Sequence, residues 1–271
     1  GGKTAFLGKI GDDMHGSFLK ETLDSEKINT EGLIIDGKYF TTLAFVSLSN
    51  SGERSFSFAR KPGADTKISK SEINTDLLKQ TKVFHVGSLS LTDEPARTAT
   101  FFAVNFAKEN GAIISYDPNY RANLWKNEKI AKKHMQSLMP LVDIMKISDE
   151  ETELLTGKSD IKKAAKALYN KGVKVVVVTL GEKGAYVYNK DGGAFVKPFD
   201  CKVVDTTGAG DSFWGGFLHK LTQSGESLDA LNLSDLVNFA KFGNAVASLC
   251  VEKKGAIPAM PCLNDVLERI K

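Results

Sequence analysis

Every residue from 173 to 179 except Lys174 is β-branched. Such a run is typical of a strand that is buried on both faces, as happens when helices cover a parallel sheet. Shorter apolar runs precede it at residues 4–8, 83–87, 112–116 and 142–147, and amphipathic helical stretches lie between them. This alternation predicts an α/β fold in which helices cover both faces of a mainly parallel central sheet, giving three layers.

Two segments depart from this alternation. Residues 41–60 alternate apolar and polar side chains around Asn50-Ser51-Gly52-Glu53, which predicts a two-stranded hairpin. A second hairpin is predicted over residues 185–197 and is expected to complete the main sheet. The first hairpin is a candidate for a lid or for an edge of the sheet. We therefore predict a discontinuous α/β core formed by residues 1–38 and 61–271, interrupted by a small β lid at residues 39–60, with a static edge hairpin as the alternative.

Composition narrows the class of partner. The chain has 271 residues, and its 36 basic and 33 acidic side chains leave a net charge of only +3. Because the basic residues are scattered along the chain, neither a nucleic acid nor a membrane surface is indicated, and a small-molecule partner is expected.

The cysteines indicate the compartment. Cys201, Cys250 and Cys262 form no C-x-x-C pair and leave an odd thiol, so neither a disulfide framework nor a zinc cluster is predicted. We expect a protein of the reducing cytoplasm. No segment approaches the roughly 20 apolar residues that a membrane span requires.

The most informative segment is Asp205-Thr206-Thr207-Gly208-Ala209-Gly210-Asp211, which opens an apolar helical run. Backbone N–H groups at Gly208, Ala209 and Gly210 would lie at the positive end of that helix, where they can bind a phosphate. Asp211, in the first turn, can accept a proton from a hydroxyl that approaches the same loop. Judged on these residues alone, an ordinary glycine turn followed by a helix-start carboxylate is an equal alternative.

This segment closely resembles the signature of the ribokinase-like carbohydrate kinases, also called the phosphofructokinase-B family, and the similarity extends from residue 1 to about Pro261. Residues 52–58, 87–91 and 115–125 most resemble the fructokinase branch. The resemblance implies transfer of the ATP γ-phosphate to a sugar hydroxyl, with Asp211 as base and residues 208–211 as an anion hole. It implies fructose phosphorylation to fructose 6-phosphate, with 2-keto-3-deoxygluconate or another sugar as the alternative substrate.

The resemblance also implies roles for other positions. It implies an ATP site with Asn244 near the adenine, formed by Ser148, Thr179, Gly181, Gly184 and Asn244. It places Mg²⁺ near Glu151, which would act indirectly, and the sugar near Asn119, Arg121 and the lid residue Arg60. It places K⁺ beside the anion hole, within reach of Asp205, Thr207, Cys250, Lys253 and Gly255. Without the resemblance, the same positions have ordinary structural interpretations: the glycines lie in turns or cap a helix C-terminus, the carboxylates begin helices, and Asn244 is an amide bonded locally.

The beginning of the sequence matches a segment that family members reach only after a first strand, an acidic sugar-binding residue and a Gly-Gly motif. We expect that residues upstream of Gly1 have been omitted. A sugar- or nucleotide-binding pseudokinase is the non-enzymatic alternative, although Asp211 counts against it. Gly2-Lys3-Thr4 also matches the end of a P-loop, but strand-like residues follow it directly. An exposed lid edge would favour a homodimer.

Overall fold

The computed structural model describes residues 2–48 and 54–271, with backbone alone at residues 46–48 and 54–56. The chain divides into two compact units. The first unit contains residues 115–117 and 142–271, and the second contains residues 2–114 and 118–141.

Strands and helices alternate along most of the chain. The strands are β1 (Ala5–Gly11), β2 (Asn29–Asp36), β3 (Leu43–Leu48), β4 (Arg54–Ala59), β5 (Val83–Gly87), β6 (Ile113–Asp117), β7 (Ile144–Ser148), β8 (Val175–Thr179), β9 (Ala185–Asn189) and β10 (Gly192–Val196). The helices are α1 (Met14–Ser25), α2 (Thr75–Lys79), α3 (Ala96–Glu109), α4 (Glu128–Leu138), α5 (Asp149–Thr156), α6 (Ile161–Tyr169), α7 (Ala209–Ser224), α8 (Leu233–Cys250) and α9 (Leu263–Ile270). Each predicted strand and hairpin forms within a few residues of its expected position, whereas β2 was not predicted.

The sheet of the first unit confirms the expectation of buried parallel strands. The end of β6 pairs in parallel with β7, and β7 pairs in parallel with β8 from Ile144 opposite Val175 to Ser148 opposite Thr179. Strand β9 then runs antiparallel to β8, and β10 runs antiparallel to β9. Residues 175–178 are at most 1% exposed, as their β-branched side chains predicted. The second predicted hairpin, β9–β10, completes this sheet.

The second unit contains the shorter sheets. Strands β1 and β2 pair in parallel and form a two-stranded sheet. A strand, and not a helix, follows Gly2-Lys3-Thr4, which excludes the P-loop interpretation. None of the helices in the described part of the chain has the length and apolar character needed to cross a bilayer.

The predicted hairpin of residues 41–60 is present as β3 and β4, which pair from Leu43 opposite Ala59 to Leu48 opposite Arg54. Its predicted turn at Asn50-Ser51-Gly52-Glu53 lies outside the described residues. One carboxylate joins the two ends of the hairpin, because Asp65 accepts hydrogen bonds from Thr42 before β3 and from Arg60 after β4. The hairpin is thus fixed at its base.

Helices α7 and α8 pack closely because glycines lie at their contact. A Cβ atom added to Gly243 would lie 2.7 Å from the carbonyl oxygen of Phe213 and 2.9 Å from its ring. The α7 residue Trp214 is buried and donates from Nε1 to Ser115 Oγ of β6 at 2.9 Å. These contacts fix α7 against both the sheet and α8.

Gly243→Ala should lower the free energy of unfolding by about 1–3 kcal/mol, because backbone atoms cannot move away from the added methyl group as a flexible side chain could. Urea denaturation measures this change. Gly215→Ala is the matched control, since Gly215 lies within α7 and nothing lies within 4 Å of its added Cβ. That control should gain up to about 1 kcal/mol from helix propensity. Equal stability of the two variants would contradict the close contact between α7 and α8.

Candidate active site

Three neighbouring strands end on polar residues. Asp117 is the last residue of β6, Ser148 of β7 and Thr179 of β8. Because these strands are parallel, their carboxyl ends lie at one edge of the sheet, where α/β proteins bind ligands. Two of the predicted ATP-site residues, Ser148 and Thr179, therefore lie on adjacent strands at the expected edge.

The loop before α7 presents N–H groups as an anion site would require. Gly208 has a φ of 77°, and an added Cβ would lie 2.9 Å from that of Ala256, so this turn requires glycine. The N–H of Ala209 already donates to Thr206 O at 3.2 Å. The predicted contact between this N–H and a phosphate therefore stays a prediction. The N–H groups of Gly208, Gly210 and Asp211 have no acceptor among residues 2–48 and 54–271. The Asp211 side chain is exposed in the first turn of α7.

The Asp205 carboxylate joins two distant segments next to this loop. Its Oδ1 accepts hydrogen bonds from Thr207 N at 2.9 Å and Thr207 Oγ1 at 2.7 Å, and its Oδ2 accepts one from Gly255 N at 3.0 Å. Cys250 Sγ lies 3.9 Å from Thr207 O, and Lys253 N donates to Cys250 O at 3.2 Å. All five residues predicted to surround K⁺ are thus brought together.

Cys250 is completely buried behind this loop. Burial raises the pKa of its thiol, and the charges of Asp205 and Asp211 act in the same direction, against a hydrogen bond from Ser212. The thiol is therefore held in its protonated form at neutral pH.

Ser148 and Glu151 form the capping box of α5. Glu151 is 8% exposed, and its Oε2 accepts hydrogen bonds from Ser148 N at 3.0 Å and Ser148 Oγ at 2.8 Å. No group of three or more His, Cys, Asp or Glu side chains within the described ranges is arranged to hold a metal ion directly. The arrangement fits the predicted indirect role of Glu151, in which water separates it from the metal.

The remaining predicted ATP-site residues lie at two neighbouring loops. After Thr179, the turn that includes Gly181 and Gly184 has a φ of 56° at the first glycine and 87° at the second, which favours glycine at both positions. Asn244 is buried in α8 and donates to Val196 O at 3.3 Å and Lys197 O at 2.8 Å. Asn244 therefore fixes the backbone after β10, and its contact with adenine stays a prediction.

The structure adds an ion pair that the sequence reasoning missed. Lys146, in the middle of β7, places its Nζ 2.7 Å from Asp117 Oδ2, and both side chains are almost completely buried. Burial raises the pKa of Asp117 to about 6; Lys146 opposes this shift, while the charges of Glu151 and Asp211 add to it. A lysine inside an otherwise apolar strand was the only signal in the sequence.

The predicted sugar-side residues belong to the second unit. Asn119 has a φ of 46°, and Arg121 Nη1 donates to Tyr120 O at 3.0 Å. Arg60 is buried and donates to Asp65 Oδ2 at 2.7 Å, Thr92 Oγ1 at 2.8 Å and Leu89 O at 2.8 Å. Arg60 therefore supports the base of the β3–β4 hairpin.

Comparisons with known proteins agree with this geometry. The model of the pfkB family carbohydrate kinases matches residues 1–262. The chain belongs to this family, as the sequence predicted.

Individual relatives define the similarity more closely. Fructokinase-2 of Solanum lycopersicum is 43% identical over 273 residues, covering 100% of this chain and 82% of the relative. A crystal structure of fructokinase from Vibrio cholerae O395 with fructose, ADP and a calcium ion is 33% identical with a TM-score of 0.91, covering 100% of this chain and 86% of that chain. A double mutant of that fructokinase with fructose, ADP and a potassium ion has the same identity, TM-score and coverage. The ribokinase-like α/β fold is thereby confirmed.

The titration of Asp117 generates a stability prediction. With its pKa raised to about 6 from 3.8, Asp117 retains a proton in the folded state that it loses in the unfolded state between these values. Its contribution to stability is therefore complete below pH 3.8 and is lost as the pH rises through 6. The measured quantity is the free energy of unfolding of the parent minus that of the Asp117→Asn variant. This difference should be about 1.4 kcal/mol larger at pH 5 than at pH 7.5.

Urea denaturation at both pH values checks this prediction, because the asparagine variant keeps the neighbouring side chains of Lys146, Glu151 and Asp211 unchanged. A difference that stays constant across the range would contradict the raised pKa.

Proposed function

We propose that this chain is an ATP-dependent fructokinase that converts fructose to fructose 6-phosphate. The observation that carries the proposal is the exposed carboxylate of Asp211 beside three N–H donors without acceptors in the described chain, at the glycine turn before α7. Family membership and similarity to fructokinases support the choice of reaction and sugar. The cytoplasm is the proposed location, because Cys201, Cys250 and Cys262 are all free thiols.

Asp211 acts as the general base. Its carboxylate accepts the proton of the sugar hydroxyl as the hydroxyl oxygen forms a bond to the γ-phosphorus, and the bond from that phosphorus to the bridging β,γ-oxygen breaks. ADP leaves with the electron pair of the broken bond. The N–H groups of Gly208, Gly210 and Asp211 donate to the transferring phosphoryl oxygens, since a fixed dipole stabilises charge that develops in the transition state.

The proposed ATP site lies along the carboxyl edge of the sheet in the first unit. The turn at Gly181 and Gly184 allows the nucleotide to approach the backbone closely, next to Thr179 at the end of β8. Asn244 keeps the neighbouring backbone at Val196 and Lys197 in place.

Mg²⁺ is the proposed divalent ion, because oxygen ligands and phosphates suit it and it retains bound water in kinase sites. When bound, it neutralises charge on the nucleotide phosphates. Glu151, buried in the capping box with Ser148, would hold it through water.

K⁺ is proposed beside the anion hole. Asp205 binds the backbone N–H groups of Thr207 and Gly255, and Cys250 Sγ lies 3.9 Å from Thr207 O, so the residues that could supply oxygen ligands are near one another. A carboxylate with several carbonyl oxygens is a suitable donor set for a large monovalent cation. Its charge would support the N–H groups of the loop at residues 208–210.

The hairpin β3–β4 is proposed as a lid over the sugar and as the contact between two copies of the chain. Its fixed base at Asp65 leaves the strands to move as one element. Slower amide exchange of β3 and β4 with saturating fructose supports the lid, and unchanged exchange contradicts it.

Asp211→Asn should lower kcat about 100-fold or more with little change in ADP affinity or thermal stability, because only the proton acceptor is lost. Asp235→Asn is the matched control, since Asp235 lies in the first turn of α8 as Asp211 does in α7. The control should retain kcat within about threefold. Steady-state kinetics with fructose and ATP measures both variants, and a similar effect of the two substitutions would contradict Asp211 as base.

A substrate panel tests the choice of sugar with the parent chain. Fructose should give the highest kcat/KM, at least about tenfold above ribose and 2-keto-3-deoxygluconate, because hydrogen bonds to sugar hydroxyls discriminate strongly. A higher kcat/KM with 2-keto-3-deoxygluconate than with fructose would identify 2-keto-3-deoxygluconate as the substrate. Nucleotide binding without turnover of any sugar would identify a binding protein.

Potassium should raise kcat several-fold over tetramethylammonium at equal ionic strength, and Asp205→Ala should remove most of this difference. The reason is that the cation would hold the backbone of Gly208 and Gly210 towards the phosphate. Coupled assays of ADP release measure both effects. If Asp205 only caps the turn through Thr207 and Gly255, the parent chain will show equal rates in the two salts.

A further inference from the structure

Lys146 occupies an unusual place for a lysine. It lies in β7 between Met145 and Ile147, which are both 0% exposed, and is itself only 6% exposed. A buried ion pair is commonly no more stabilising than apolar residues of similar volume, so stability alone does not account for this side chain. A function for its charge is therefore indicated.

The ammonium group lies directly against the proposed anion hole. A Cβ atom added to Gly210 would lie 2.9 Å from Lys146 Nζ and 3.4 Å from Lys146 Cε. The N–H of Gly210 is one of the three donors of that loop without an acceptor in the described chain. The cation and the N–H donors therefore belong to one small region.

Lys146 also retains donor capacity. An ammonium group has three N–H donors, and one of them binds Asp117 Oδ2 at 2.7 Å. Within residues 2–48 and 54–271, the structure gives the other two no side-chain or backbone acceptor. Because the side chain is more than nine-tenths buried, bulk water satisfies these donors poorly, whereas a phosphoryl oxygen in the anion hole would satisfy them.

The negative charge around Lys146 gives its ammonium group a role in the site. The charges of Glu151 and Asp211 both act on Asp117, so three carboxylates share the region with Lys146. ATP would bring further negative charge to the same place. A fixed ammonium offsets part of this repulsion where charge develops during transfer.

We propose that Lys146, held in place by Asp117, is the cationic donor of the anion hole and contacts the phosphoryl group during its transfer. This inference rests on the proposed kinase function. Lys146 neither gives nor takes a proton in this step, while Asp211 takes the proton of the hydroxyl and ADP takes the electron pair of the broken P–O bond. Asp117 is a positioning residue, because it acts only through Lys146.

The test compares three variants with the active parent. Lys146→Met should lower kcat about 100-fold while KM for ATP and fructose changes less than about threefold, as is typical for loss of one anion-hole donor. Lys146→Arg keeps the charge and should recover about tenfold of that loss. Asp117→Asn leaves the ammonium in place without its anchor and should lower kcat about tenfold.

A binding measurement separates catalysis from a merely structural role. Fluoroaluminate mimics the transferring phosphoryl group, so calorimetry can measure its binding together with ADP and fructose. Lys146→Met should weaken the affinity for this combination at least about 50-fold and leave the affinity for ADP alone nearly unchanged. The inference is overturned if Lys146→Met weakens the affinity for ADP alone as much as the affinity for the fluoroaluminate complex. It is also overturned if kcat of Lys146→Met stays within threefold of the parent. If Lys146→Met does not fold, the double variant that combines it with Asp117→Asn removes both charges of the buried pair. The same kcat and affinity measurements on that double variant then test the inference. An inactive parent would instead overturn the proposed function.

Discussion

The parallel alignment of β6, β7 and β8 is the constraint on which the site depends. Parallel pairing brings the last residues of the three strands to one edge, although Asp117, Ser148 and Thr179 are far apart in sequence. The strand interiors are buried mostly by apolar side chains, with Lys146 of β7 as the charged exception, so most of the polar side chains lie at the strand ends. Helix α7 then delivers Asp211 to the same region because Trp214 binds Ser115 of β6. Sheet geometry, more than any single side chain, assembles the proposed reaction centre.

The site concentrates negative charge and offsets it with few cationic groups. The charges of Glu151 and Asp211 both act on Asp117, and burial makes an uncompensated charge on Asp117 or Glu151 costly. Lys146 compensates Asp117, while the capping hydrogen bonds from Ser148 compensate Glu151. On the proposed function, cations that bind together with the nucleotide would offset part of the remaining negative charge.

Local sequence signals predicted a large part of this arrangement. The β-branched residues 173–179 indicated a doubly buried strand, and Gly208 indicated a turn, because burial and positive φ are properties of short segments. Strand β2 was missed because the only apolar run within Asn29–Asp36 is the three residues Leu33-Ile34-Ile35, which is shorter than the segments predicted as strands. The Lys146–Asp117 pair joins residues 29 apart, and Asn244 reaches carbonyl groups 47 and 48 residues away. Such partners become visible only after the strands and helices have packed.

The buried thiol of Cys250 offers a chemical view of motion around the phosphate loop. A thiol must be exposed and deprotonated to be alkylated, so Cys250, which is buried with its Sγ 3.9 Å from Thr207 O, reacts only when the structure around it opens. Cys262 is exposed and provides an internal standard for the reaction rate of an accessible thiol. The ratio of labelling rates therefore records how often the structure around Cys250 opens, with no introduced probe and in the presence of any ligand.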